Sequence, residues 1–310
     1  MRLRPPAICP SALCDDDPPC PNLPLVKKDQ VGPKESKARM SDGSPNAVAK
    51  VDPAGANAAL APLIATFRSV SPAIVTLDGP AGSGKSTVGH HLAQLVDFLF
   101  FDTGVMYRAV TWVTLARAIR VDDEVRVSEL TEQLQIDVTP AAAHETDGRQ
   151  CTVLADGEDI TAQLRTPQVD KNVSIVSAYA VVRQALSGKQ RRLSQYYGAG
   201  EAEKAGIIMA GRDIGTVVVP EAPLKIYLEA SAAERARRRY EELHAQGKQV
   251  TFNTVLAAII QRDDLDSHRA ISPLHPADDA IILDTSNLSP EAVVMRILQL
   301  AHDVMTTRRP

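Results

Sequence analysis

The chain has 310 residues, 44% hydrophobic, 23% charged and only 4% aromatic, with a formal net charge of −4 and a pI near 6.0. A general nucleic-acid binder needs a basic face and a single-strand binder needs stacking rings, so both readings fall away. No apolar run approaches the ~20 residues of a membrane span, which leaves a soluble globular enzyme or switch with a small-molecule ligand and no membrane partner.

Twelve of the 21 prolines lie in residues 1–72, as do three of the four cysteines, Cys9, Cys14 and Cys20. Stretches such as PPAICPSALCDDDPPCPNLP carry no apolar period and cannot bury enough surface to offset the entropy of ordering. Residues 1–70 are therefore expected to be a disordered tail, with at most a short helix near Ala56–Phe67. The opening MRLRPPAICPSALC is not read as a secretory leader, because Pro10 breaks its apolar stretch and Asp15–Asp17 follow at once. The spacing C-x4-C-x5-C lacks the paired ligands of a zinc site. The remaining cysteine, Cys151, fits a reducing, cytoplasmic setting.

From Ser71 the pattern changes. AIVTLDG reads as a buried parallel strand, and STVGHHLAQLV as a helix with Val88, Leu92, Leu95 and Val96 on one face. FLFFDTG is a second strand and YRAVTWVTLARAI a second helix. Residues 128–172 break the rhythm. ELTEQLQIDVTP and QCTVLADGEDIT alternate over short stretches, with turn signals at Asp147–Gly148 and Asp156–Gly157, and predict a small β-rich insertion. GIIMAGRDIG and APLKIYLEA then read as strands, and ASAAERARRRYEELHAQG and TFNTVLAAIIQRDD as helices. AIILDTS is a last strand, and LSPEAVVMRILQLAHDV a last helix with Ser289 as N-cap and Pro290 at its first position. Alternation of this kind predicts an α/β fold, a parallel sheet flanked by helices, with its ligands at the carboxyl ends of the strands.

Gly79-Pro80-Ala81-Gly82-Ser83-Gly84-Lys85-Ser86 fits G-x-x-x-x-G-K-[ST] between a strand and a helix. The glycines let several backbone N–H groups face one anion, and the helix N-terminus adds a positive dipole end. Lys85 is expected on the β- and γ-phosphates and the Ser86 hydroxyl on Mg²⁺. Chance produces such a match in only ~1% of chains of this length, so a nucleoside triphosphate is the expected ligand. GTPase signatures D-x-x-G and [NT]-K-x-D are missing after Ser86.

A small-molecule kinase also needs a cationic pocket for its acceptor. DTGVMYR, AGRDIGT, ERARRR and RDDLDSHR supply one. ERARRR alone is as well explained by a solvated helix face. Arg212 follows a glycine at a strand end, where ligands bind. Arg262, Asp266 and Arg269 are spaced i, i+4, i+7 and share a face if the helix continues, with the acid holding both arginines. Phosphoryl transfer is mostly positioning and charge stabilisation, so many arginines and few acid–base groups are the expected inventory.

With these residues in view, the chain from about Ala73 to about Ala301 resembles the bacterial cytidylate kinases. The resemblance rests on LDGPAGSGKST, DTGVMYRAV, AGRDIGTVVVPEAPLKIYLEAS, ERARRR and QRDDLDSHRAISPLHPADDAIILDTS. It implies a P-loop nucleoside monophosphate kinase-like sheet with a helical lid at about 231–272. The core would be 71–127 and 173–310, with 128–172 as a CMP-binding insertion. It implies transfer from ATP to CMP or dCMP by a cytoplasmic, monomeric enzyme with no nucleic-acid partner. Gly79 to Thr87 would wrap the ATP phosphates, with Arg238 in the lid near ATP. Thr103 and Arg108 would lie in the monophosphate pocket. Arg212, Arg262 and Arg269 would hold the CMP phosphate and, with Lys85, form the catalytic set. Ser174, Arg183 and Asp213 would face cytosine, and Asp266 the ribose hydroxyls. Two positions depart from the family. Thr103 replaces a frequent Ser, and Ala210 replaces an acid before GRD, so Asp102 or Asp213 would have to complete the Mg²⁺ arrangement. A kinase of UMP or another small acceptor, and an ATP-binding regulator without chemistry, remain as alternatives.

Overall fold

The computed structural model describes residues 53–142, 145, 149–200, 202–269 and 271–307. The expectations for residues 1–52, including the three clustered cysteines, and for the turn at Asp147–Gly148 lie outside them.

The central sheet is parallel, in the order β2-β6-β1-β7-β8. Its strands are β1 (Ile74–Asp78), β2 (Leu99–Asp102), β6 (Ile207–Gly211), β7 (Leu224–Glu229) and β8 (Ile281–Asp284). Strand side chains alternate between faces, and two cores follow from that. Ile74, Leu99, Phe101, Ile207 and Met209 point to one face. There they pack with α3 (Gly104–Ala116), α4 (Glu124–Gln133), α5 (Pro167–Val176) and α6 (Ala180–Gly198). Val75, Leu77, Phe98, Phe100, Ile208 and Ala210 feed the other core, with α2 (Lys85–Val96) and α9 (Pro290–Thr307). A small antiparallel sheet, β3 (Ile136–Pro140), β4 (Cys151–Ala155) and β5 (Glu158–Asp159), interrupts the alternation where the sequence predicts an insertion. Two helices, α7 (Ala232–Ala245) and α8 (Phe252–His268), pack through their own small cluster of Ala236, Val255 and Ile259. Side chains begin several of these helices: Asp123, Ser231, Thr251 and Ser289 each accept from a backbone N–H three residues on.

Three sequence expectations need correction, and two helices were not expected. Helix α1 spans Pro53–Arg68, and its Phe67 is fully buried in the second core against Phe98. Packing therefore draws residues from Pro53 onward into the folded part, ahead of the boundary at 70. Leu95 is exposed, while Val88, Leu92 and Val96 are buried. The ELTEQ stretch is the end of α4 rather than a strand. Helix α5, unread from sequence, begins inside the expected insertion at Pro167, and α6, also unread, follows it. Among the described residues no helix is long and apolar enough to cross a membrane.

Candidate active site

The loop from Gly79 leaves β1 and enters α2. Gly79 has φ +145°, and a Cβ there would sit 2.1 Å from the Leu228 carbonyl oxygen, so only glycine fits the turn. Lys85 is buried at the start of α2, and its Nζ donates to the carbonyls of Gly79 and Pro80, 2.7 Å each. Burial, then the neighbouring Arg212 guanidinium, push this ammonium well below its ordinary value, against the pull of Asp102 and Asp78. Ser86 Oγ donates to Asp102 at the end of β2, 3.2 Å away, and Thr87 is exposed. Arg238 on α7 lies over the loop, its Nη1 3.8 Å from where a Gly84 Cβ would be. It is bonded to Glu234 and to Thr285, whose own hydroxyl contacts the Ser83 carbonyl.

Facing the loop, β6 ends at Gly211 and the chain passes through Arg212 and Asp213 into a π-helical turn, Ile214–Val218. Buried Asp78, at the end of β1, accepts from the N–H groups of Ile214 (3.0 Å) and Gly215 (2.8 Å) and so fixes where Arg212 and Asp213 emerge. Burial raises its carboxyl to about 6 despite those two donors.

Two ion pairs meet here. Arg183, buried on α6, donates to Asp213 at 2.5 Å with both side chains under 10% exposed. Its guanidinium lies over the Tyr107 ring, 5.4 Å from the centroid. Arg212 Nε donates to Asp266 on α8 at 2.9 Å. Burial opposes ionisation of Asp266, yet Arg212, Arg262 and Arg269 together hold it below the ordinary carboxylate value. Arg262 is pushed down to about 10 by burial and by Arg212, and stays cationic at neutral pH. Arg269 lies 3.9 Å from Asp213 and 3.7 Å from Asp266. It caps α8 in an extended conformation, so the one-face spacing expected from sequence covers Arg262 and Asp266 but not Arg269. The chain turns there, and Arg269 Nε donates to the Ser272 carbonyl. Buried Arg183 Nε, Arg262 Nε and Arg269 Nη2 have no hydrogen-bond partner among the described residues.

The remaining expected residues lie around this network. Ser174, on α5, lines a cavity of about 270 Å³ with Asp266 and Arg269. Arg108 on α3 is held by Asp170 (2.6 Å) and the Leu164 carbonyl. Thr103 is buried, and its hydroxyl donates to the Ala210 carbonyl at 2.9 Å, which leaves it an acceptor and not a free donor.

Ser86 and Asp102 present the hard oxygen donors that Mg²⁺ takes, and such a site completes itself with substrate phosphates rather than a protein cage. Accordingly no cluster of three or more His, Cys, Asp or Glu is needed, and none occurs among the described residues. Ala210 pairs in register with Asp102 across β6 and β2. Asp102 therefore stands beside the position where the resemblance implies an acid, whereas one Asp213 oxygen accepts from Arg183. The sequence reading missed Asp78, Tyr107, Thr285 and the Arg235–Asp263 pair. Asp78 directly precedes Gly79, and an acid ending a buried strand is a signal that was open to reading.

A parallel sheet with a phosphate loop at its carboxyl edge, facing a buried arginine–carboxylate network, defines a P-loop nucleotide-binding protein of the kinase type. The cytidylate kinase family profile matches residues 75–303. Cytidylate kinase of Desulforamulus reducens is 44% identical over 72% of this chain and 94% of its own. That of Herpetosiphon aurantiacus is 44% identical over 76% and 96%. The bifunctional pantoate ligase/cytidylate kinase of Synechococcus elongatus is 47% identical over 74% of this chain and 42% of its own. The chain belongs to the cytidylate kinase family.

Proposed function

We propose that the protein transfers the γ-phosphate of ATP to CMP or dCMP, giving ADP and CDP or dCDP by direct in-line displacement. The observation that carries this is the phosphate loop opposed, across the strand ends, by Arg183, Arg212, Asp213, Arg262, Asp266 and Arg269. Backbone N–H groups of residues 79–87 and Lys85 bind the donor phosphates, with Arg238 closing over them from α7. Arg212, Arg262 and Arg269 hold the acceptor phosphate, aided by Arg108, and keep two anionic groups in line. Ser86 and Asp102 would hold Mg²⁺, which would supply charge neutralisation on the donor phosphates.

Cytosine selection has a chemical rationale. The base offers an N4 amino donor beside an N3 acceptor, and uracil reverses both. Arg183 keeps a buried Nε–H without a partner, and the Asp213 oxygen that does not accept from Arg183 lies 3.9 Å from Arg269, so the pair can offer one donor and one acceptor. The wrong base would leave both unpaired, which can discriminate by ~10⁴. Ser174 completes the base pocket, Asp266 faces the ribose, and the insertion at 128–172 supports the acceptor side. The test is ADP release over a panel of CMP, dCMP, UMP and AMP. Turnover restricted to the cytosine nucleotides is expected, and equal turnover of UMP would remove the base assignment.

A further inference from the structure

Arg235 joins three parts of the molecule. Its Nε donates to the Ala230 carbonyl just after β7 (2.8 Å), and Nη1 donates to the Ala81 carbonyl in the phosphate loop (3.1 Å). Nη1 and Nη2 also fork onto the two oxygens of Asp263 on α8, at 3.0 and 2.6 Å. Bidentate pairs of this kind fix orientation as well as distance. Helix α7 rests on the loop, since a Gly82 Cβ would lie 3.1 Å from the Arg235 Cβ. Its neighbours behave differently: Arg237 and Arg239 pair with Glu234, Glu241 and Glu242 on their own helix.

Covalent geometry gives this pair leverage in both directions. A trans peptide is planar, with its C=O and N–H on opposite sides. A donor that holds the Ala81 carbonyl therefore also aims the Gly82 N–H, which leaves on the side away from Arg235. Asp263 directly follows Arg262 on a helix, so whatever fixes Asp263 fixes the helix turn that presents Arg262. One guanidinium thus connects a donor-side amide to an acceptor-side arginine.

Building on the kinase reading above, we propose that Arg235 and Asp263 are positioning residues that couple the two substrate sites, so that nucleoside triphosphate and CMP each tighten the binding of the other. Triphosphate on the loop holds the Gly82 peptide, that peptide holds Arg235, and Arg235 holds α8 in the register CMP needs. The second ligand then meets an arranged site, and the coupling is reciprocal.

The test is calorimetric titration of CMP into wild type, Asp263→Asn and Arg235→Lys, each with and without a non-hydrolysable ATP analogue and Mg²⁺. Asp263→Asn keeps the shape without the charge, and Arg235→Lys keeps the charge without the fork, so either folded variant reads the coupling. In wild type the analogue is expected to tighten CMP binding by about fivefold or more. In the variants the gain falls below about twofold, whatever the CMP affinity without the analogue. A general structural role would weaken both titrations alike. Full coupling retained in a folded variant, or none in a wild type that turns over CMP, overturns this inference alone. A wild type that does not turn over CMP overturns the functional reading and this inference with it.

Discussion

On the proposed donor side, consecutive residues from Gly79 to Thr87 would build the site, mostly with backbone. On the proposed acceptor side, Arg183, Arg212, Asp213, Arg262, Asp266 and Arg269 arrive from α6, the end of β6 and α8, and all but Arg262 are joined by ion pairs. A backbone cradle keeps its shape when one side chain changes. A desolvated charge network does not, because each lost partner leaves an uncompensated charge behind. Substitutions on the donor side should cost activity alone, and those on the acceptor side both activity and stability.

The strongest test is Lys85→Ala. It removes a cation from where charge develops, with an expected loss in kcat of about 10³-fold or more. Melting temperature should stay within about 2 °C, since the removed ammonium is buried against its own preference. A large fall in melting temperature would break the proposed contrast.

Next is Asp213→Ala, which strands Arg183 in the interior. A loss of about 3 kcal/mol in unfolding free energy is expected in urea titrations. The milder Asp213→Asn should lower the CMP/UMP ratio of kcat/KM while leaving the KM for ATP nearly unchanged. An unaltered ratio would move base recognition elsewhere.

Asp78 connects the two sides and titrates between them. Burial raises its folded value to about 6, against an ordinary 3.8. Between those values the folded state keeps a proton that the unfolded state has released. Stability attributable to this carboxyl therefore falls as pH rises through the window, by at most about 3 kcal/mol. Asp78→Asn lacks that titration, so it should gain on wild type by a comparable amount between about pH 4 and pH 7. A pH-independent gap between the two proteins would contradict the assignment.

The smallest effect is expected from removing residues 1–52, with a change in melting temperature under about 2 °C and kcat unaltered. Extending the truncation through residue 68 removes buried Phe67 from the core that also seats α2, and the melting temperature should then drop. Equal melting temperatures for the two truncations would show that α1 adds nothing to the donor side.

The same contrast explains which parts of the site are legible in the sequence. The donor loop is contiguous, and its glycine spacing is itself the mechanism, so the residues alone disclose it. Strand ends such as Asp102 and Arg212 are legible because an apolar run marks where they stop. The ERARRR run is not. Residues two apart on a helix point in different directions, and that separates buried Arg235 from exposed Arg237. Which of the two faces inward depends on where α7 meets the loop, and no local pattern carries that. Ser174 and Arg183 come only through the resemblance, because α5 and α6 show no motif where they cross the site. Arg269 reaches its place by a chain turn rather than by helical spacing, a tertiary fact invisible to periodicity.

Lys85 donates to two acceptors of the loop itself, the Gly79 and Pro80 carbonyls, each at 2.7 Å. In the proposed reaction, taking up a triphosphate would therefore be an exchange of acceptors rather than the solvation of a bare cation. Much of the ground-state attraction is cancelled by the two hydrogen bonds surrendered. What survives is the part that grows as negative charge moves toward the leaving oxygen, when the carbonyls no longer compete on equal terms. Interactions that strengthen only along the reaction raise kcat rather than affinity. In the proposed reaction the loop's own backbone would thus restrain premature tight binding and keep the lysine for the moment of transfer.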